Sequence, residues 1–182
     1  MIFLEIWDIY DENRNKTGRT CERGGLGEGE YHLSVHICIF DREGRMLIQK
    51  RADCKRDWPS LWDISAAGAV VVGENTREGA KRELSEELGI HRDFGKIRPH
   101  LTLNYADGFG DIFILNEDRL DLSTLTLQES EVSEVKYATR DEIFSLIDGG
   151  EFIPYFKSFI GAIFDIRHRY SSMTRGAEGK GK

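Results

Sequence analysis

The amino-acid sequence predicts an α/β sandwich around a mostly β centre. Three observations point there. Short runs rich in β-branched and aromatic residues recur between clusters of turn residues, as in "HLSVHICIF" (32–40). Three other segments space their apolar residues for a helix. Strands and helices are intermixed along the 182 residues, without an internal repeat and in a length that suits one domain.

The elements follow in order. "FLEIWDIYDENRNKTGRT" reads as strand, turn, strand, with Asp11, Glu12, Asn13 and Gly18 as turn material, and so predicts an N-terminal β-hairpin. The glycine-rich "ERGGLGEGE" (22–30) then serves as a connection. "HLSVHICIF" and "RMLIQKR" (45–51) form a second hairpin through the tight turn "DREG". "ADCKRDWPSLWDIS" (52–65), broken by Pro59, is a loop, and "AAGAVVVGE" (66–74) is a short strand or extended segment. A helix is predicted at 75–88, strands near 97–105, 111–116 and 132–139, and helices at 140–148 and 155–170. The last dozen residues (171–182) are polar and predicted to be disordered.

Composition excludes some functions. The formal charge is −7, from 25 Lys and Arg against 32 Asp and Glu, which argues against a partner such as a nucleic-acid polymer or an anionic membrane. No apolar stretch approaches the roughly 20 residues that cross a bilayer. The start, "MIFLEIWDIYDENRN", carries Glu5 and Asp8 and lacks the basic flank of a signal peptide. Three scattered cysteines (Cys21, Cys38 and Cys54) without a CxxC pair read as reduced thiols, hence a cytoplasmic location.

The helix at 75–88 carries the chemistry. Asn75 with Glu78 three residues on is a capping box, and Gly89 stands where a left-handed residue ends the helix. Ala80, Leu84 and Leu88 make a core-facing stripe, and Glu78 with Arg82 a favourable pair. Glu83, Glu86 and Glu87 are expected together on the other side, where their charges repel. A solvated face is the plain explanation. The other is a hard divalent cation among the carboxylates, since Mg²⁺ binds through one or two carboxylates plus substrate phosphates.

The run "GAVVVGENTREGAKRELSEELGI" (68–90) decides between them, because it is similar to the Nudix box at every defined position. A looser resemblance to the Nudix hydrolase superfamily extends over about residues 32–147. It implies an α/β/α sandwich with a mixed sheet, one domain over residues 1–170 with 1–31 as a hairpin extension. It also implies hydrolysis of a diphosphate bond in a nucleoside diphosphate linked to another moiety, a small-molecule substrate. By resemblance, Glu83, Glu86 and Glu87, with the carbonyl of Ala67, hold Mg²⁺ or Mn²⁺. Glu83 is either a further ligand or the group that activates water. Arg82, paired with Glu74, orients the cluster, and Gly68 and Gly89 are structural positions of the box. A further carboxylate from a later loop falls on Glu131, with Glu129 and Glu134 as rivals and a plain acidic loop as the alternative. Lys50, Arg51, Lys55 and Arg56 form a local basic patch, so Arg51 and Lys55 are candidate phosphate contacts, with a solvated hairpin end as the alternative. Trp62 and Trp58 are candidates to stack on a base, or else core packing.

Beyond the box, His32 and "WPSLW" resemble the branch of type I isopentenyl-diphosphate isomerases. Their mechanism needs a cysteine just before the Gly68 position and a histidine just after it. This chain has Ala67 and Ala69, whose side chains can neither move a proton nor bind a metal, while the box itself is intact. Hydrolysis is therefore preferred over isomerisation, and over a non-catalytic nucleotide sensor. His32 with His36, and Asp107 with Asp111, are weaker metal candidates, and Cys38 reads as core. The N-terminal hairpin and C-terminal helix leave a homodimer open.

Overall fold

The computed structural model describes residues 5–118 and 120–173; residues 174–182 of the tail predicted to be disordered lie outside the described residues. The fold is α/β: a mixed sheet with helices on both faces, plus a separate two-stranded hairpin. Strands β1 (Ile6–Tyr10) and β2 (Lys16–Glu22) make that hairpin. Its turn is tighter than the sequence suggests, because the Asp11 carboxylate accepts the backbone N–H of Asn13 and Asn15. Gly18 lies inside β2, at φ +80°, where the register slips opposite Asp8 to Tyr10.

The main sheet holds β3 (His32–Phe40), β4 (Met46–Arg51), β5 (Trp62–Asp63), β6 (Ala66–Ala69), β7 (Leu101–Asn104), β8 (Gly108–Asn116) and β9 (Val132–Ala138). β3 runs parallel to β8 along its whole length; the other pairings are antiparallel. β7 starts later than predicted because Pro99 has no N–H to give a ladder. β3 and β4 pair only at Phe40 and Met46, and then diverge. Their freed edges are taken by β6 on β3 and by β5 on β4, so residues 62–69 fill a fork in the sheet. Ser65 sits at its base: its hydroxyl donates to the Leu47 carbonyl at 2.5 Å and accepts the Ile39 N–H at 2.8 Å.

Alternation along the strands sorts the two cores. Val35, Ile37, Ile39, Leu47 and Phe113 face α1 (Thr76–Leu88), whose Ala80, Leu84 and Leu88 are fully buried as predicted. Cys38, Phe40, Met46 and Ile48 face α2 (Arg140–Asp148) and α3 (Lys157–Ile166). The helix predicted over 155–170 is trimmed to 157–166. Among the described residues no helix is long and apolar enough to cross a membrane.

The hairpin is fastened to the start of α1. Asp8 accepts the Gly73 N–H at 2.8 Å, and the Ile6 carbonyl accepts that of Val72 at 2.8 Å. Arg14 donates both η-nitrogens to buried Asp111, at 3.0 and 2.6 Å, and the hydroxyls of Thr76 and Thr102 each donate to it at 2.7 Å. Burial pushes the Asp111 carboxyl up, but these donors hold it below the usual carboxylate range. Its two oxygens are thus engaged structurally. Asp111→Ala should strand the Arg14 charge and two hydroxyls, and destabilise the protein by about 3 kcal/mol in urea unfolding, whereas Asp107→Ala should be near neutral.

Candidate active site

The site grows from the capping of α1. Asn75 accepts the N–H groups of Arg77 and Glu78, and Glu78 reaches back to the Asn75 N–H at 2.8 Å. That engagement draws Glu78 away from Arg82, and the predicted pair between them does not form. At the other end Gly89 has φ +68°, and the loop after the 3₁₀ turn (Leu122–Thr124) caps the helix: Thr126 and Gln128 donate to the carbonyls of Leu88 and Glu87. The helix is therefore fixed at both ends.

Arg82 organises what lies between. Its Nε and Nη2 donate to Glu74 at 2.9 and 3.1 Å, and Nη2 also to the Ala69 carbonyl at 2.9 Å. Its Nη1 donates to Glu83 at 2.7 Å and to Glu86 at 3.2 Å. One guanidinium thus ties the loop, β6 and two carboxylates of the helix, which needs Arg's planar fork of five N–H donors.

The three glutamates do not share one environment. Glu86 points outward, with its side chain 52% exposed. Glu87, expected beside it, turns inward and is only 5% exposed; its Oε2 accepts from Gln49 Nε2 at 3.0 Å and from the Ala67 N–H at 3.3 Å. Glu83 lies against Gly68, where a Cβ would fall inside its carboxylate. Glycine is required there by contact. Ala67 and Ala69 alternate with Gly68, so the backbone groups of both turn away from β3: the Ala69 carbonyl meets Arg82 and the Ala67 N–H meets Glu87. The Ala67 carbonyl lies on that same edge. Among the described residues no three His, Cys, Asp or Glu side chains stand together as a ready-made metal cage. The outward turn of Glu86 toward Arg82 is one reason.

The other sequence candidates make contacts of their own. Arg51 donates Nε and Nη2 to the Asp57 carbonyl at 3.2 and 3.0 Å, and its Nη1 reaches Asp63 at 3.5 Å. Lys55 and Glu131 are ion-paired with each other. Trp62 belongs to the core: it is 5% exposed, with Lys50 and Lys136 over its ring. Trp58 is the exposed one, at 51%, in a loop where both it and Ser60 adopt positive φ. His32 stacks on Trp7 at 4.1 Å, His36 packs near Tyr105, and Cys38 is fully buried.

Two polar residues that sequence reasoning passed over belong here. Gln49 is buried on the α1 side of β4. The signal was available, since alternation in "RMLIQKR" sets Gln49 on the inward face with Leu47. Asp63, opposite Gln49 in the β4–β5 register, is buried and accepts from Tyr155 Oη at 3.0 Å and the Ile64 N–H at 2.8 Å. Nothing in "LWDIS" marks it as interior.

Residues 30–156 match the NUDIX domain family, and the chain belongs to that family. An uncharacterized Nudix hydrolase of Listeria monocytogenes is 43% identical over 166 residues, covering 91% of this chain and 96% of that protein. Nudix hydrolase 3 of Arabidopsis thaliana is 35% identical over 178 residues, 89% of this chain but 23% of the plant protein. A crystal structure from Deinococcus radiodurans shares the fold, with TM-score 0.70 at 22% identity over 91% of this chain and all of that one. The fold is thus a Nudix α/β/α sandwich, and the chain is homologous to Nudix hydrolases.

Burial sets the electrostatics. It pushes the Glu83 carboxyl up to about 7 against the opposing pull of Arg82, and the Glu87 carboxyl up to about 8, where the neighbouring Glu83 charge adds to the effect. Both values lie above an unfolded glutamate's. The stability they contribute is therefore present in full below the unfolded value and is lost as pH rises through about 7 to 8. In metal-free buffer, thermal unfolding should come at lower temperature at about pH 8.5 than at about pH 6, and Glu87→Gln should shrink that difference.

Proposed function

We propose that this protein is a Mg²⁺- or Mn²⁺-dependent hydrolase that cleaves the diphosphate bond of a nucleoside diphosphate linked to another moiety. The observation that carries the reading is the burial of Glu83 and Glu87 beside each other against the glycine gap of β6, under the control of Arg82. Two buried carboxylates, only one of them paired with Arg82, suit a doubly charged ion. The donor set fits a hard cation: carboxylate oxygens of Glu83, Glu86 and Glu87 and the Ala67 carbonyl, all oxygen. Mg²⁺ also takes ligands from substrate phosphates, so the protein need not supply a full cage. When bound, the ion neutralises diphosphate oxygens and lowers the pKa of water.

The chain's own residues supply the rest. In this reading Glu83 takes the proton from water as the water oxygen bonds to phosphorus and the bridging P–O bond breaks. Arg82 holds Glu83 and Glu86 in place through hydrogen bonds that leave no guanidinium donor idle. Arg51 and Lys55 contact the incoming phosphates in this reading, and Glu131, ion-paired with Lys55, is the carboxylate that the later loop contributes. Residues 1–170 act as one domain, with residues 1–31 as a hairpin extension, whose Asp8 accepts from Gly73 in the loop before α1. The free cysteines and the absence of a basic field support a cytoplasmic enzyme with a small-molecule substrate. Isomerisation of a prenyl diphosphate has no support at positions 67 and 69, whose alanine side chains carry no acid, base or ligand.

A panel of nucleoside diphosphate-linked compounds with Mg²⁺ or Mn²⁺ should release nucleoside phosphate. Glu83→Gln and Glu87→Gln should lower turnover by about 10²- to 10⁴-fold, and chelation should abolish it. Equal turnover by wild type and both variants would end the reading, as would an allylic isomer as sole product from isopentenyl diphosphate.

A further inference from the structure

Gln49 is a polar side chain set among apolar neighbours. On the α1 side of the sheet it follows Leu47 and faces the layer of Leu84 and Leu88, yet it is an amide, and 1% exposed. A leucine or methionine would fill the same space. What the amide adds is specific. Its Nε2 donates to Glu87 Oε2, the oxygen that also accepts the Ala67 N–H. Both protein donors therefore converge on one oxygen, and among the described residues none reaches Glu87 Oε1.

The other end of the amide is unsatisfied. Gln49 Oε1 is buried and has no hydrogen-bond partner. A buried acceptor without a donor is costly, and native folds seldom keep one without a use. The residue also stands at a junction. It lies on the β4 arm of the fork, two residues before Arg51 and opposite Asp63. It thereby ties the α1 carboxylate to the strand that leads into the basic loop.

We infer that Gln49 is a positioning residue of the metal site: it locks Glu87 Oε2 so that Oε1 is presented to the cation, and it keeps its own Oε1 for a donor that enters with the filled site. This role rests on the metal-dependent reading above. It acts through Glu87, so its removal should disturb metal binding before it disturbs the fold. A partner of this kind, hydrogen-bonded to a ligand, commonly matters about 10- to 100-fold in metal affinity.

The test is Mn²⁺ binding, followed by electron paramagnetic resonance, in wild type and Gln49→Met, a variant of similar volume without the amide. Gln49→Met should bind Mn²⁺ about 10- to 100-fold more weakly while its metal-free unfolding temperature stays close to wild type. Equal Mn²⁺ affinity would overturn the role of Gln49 alone, and a wild type that binds no Mn²⁺ would overturn the metal-dependent reading beneath it. Should Gln49→Met fail to fold, the wild type still decides. The chain has only two glutamines, Gln49 and Gln128, so selective glutamine labelling separates the Gln49 side-chain amide from those of the asparagines. In Mg²⁺-saturated protein the Gln49 amide protons should be displaced from free-amide positions and slow to exchange; free-amide behaviour would overturn the proposal.

Discussion

Two carboxylates pressed together in a poorly hydrated cleft are the constraint around which this molecule is arranged. Glu83 and Glu87 repel each other, and burial penalises the charge on each. The fold tolerates them because it surrounds them with fixed donors: Arg82 on Glu83, and Gln49 with the Ala67 backbone on Glu87. Each donor depends in turn on the architecture. Ala67 turns its N–H outward only because β6 is paired with β3 through the alternate residues, and Gln49 reaches Glu87 only because β4 has peeled away from β3.

The fork in the sheet is thus the structural origin of the site. An unbroken β3–β4 ladder would leave no edge for β6 and no gap for backbone to meet the helix. Ser65, bridging Ile39 and Leu47, satisfies the groups exposed where the strands part. The N-terminal hairpin reinforces the same region from outside. Through Asp8 and Arg14 it holds the Gly73 backbone and Asp111, and through Asp111 the first residue of α1. The helix that carries the carboxylates is therefore held at its start by the hairpin and at its end by the loop at 126–128.

Local signals were legible without coordinates. The capping box at Asn75, the left-handed Gly89 and the buried stripe of Ala80, Leu84 and Leu88 all follow from short-range chemistry and a period of 3.6 residues. The pairing of Arg82 with Glu74 followed from the motif. Where two readings competed, the structure chose one. Glu78 serves the helix cap in place of a pair with Arg82, Gly18 enters a strand as a bulge instead of a turn, and Trp62 packs in the core beneath two lysines.

The sequence by itself determined most of the elements, though not the short strand β5, together with the family and the crowding of acidic residues on one helix, because those are properties of neighbours along the chain. Only the tertiary structure decided which glutamates are buried. Adjacent Glu86 and Glu87 part company because a helix turns about 100° per residue, which carries one to solvent and the other to the fork between β4 and β6. Gln49 and Asp63 lie 38 and 24 residues from Glu87 along the chain. Distances of that kind are closed by strand pairing, and no local pattern records them.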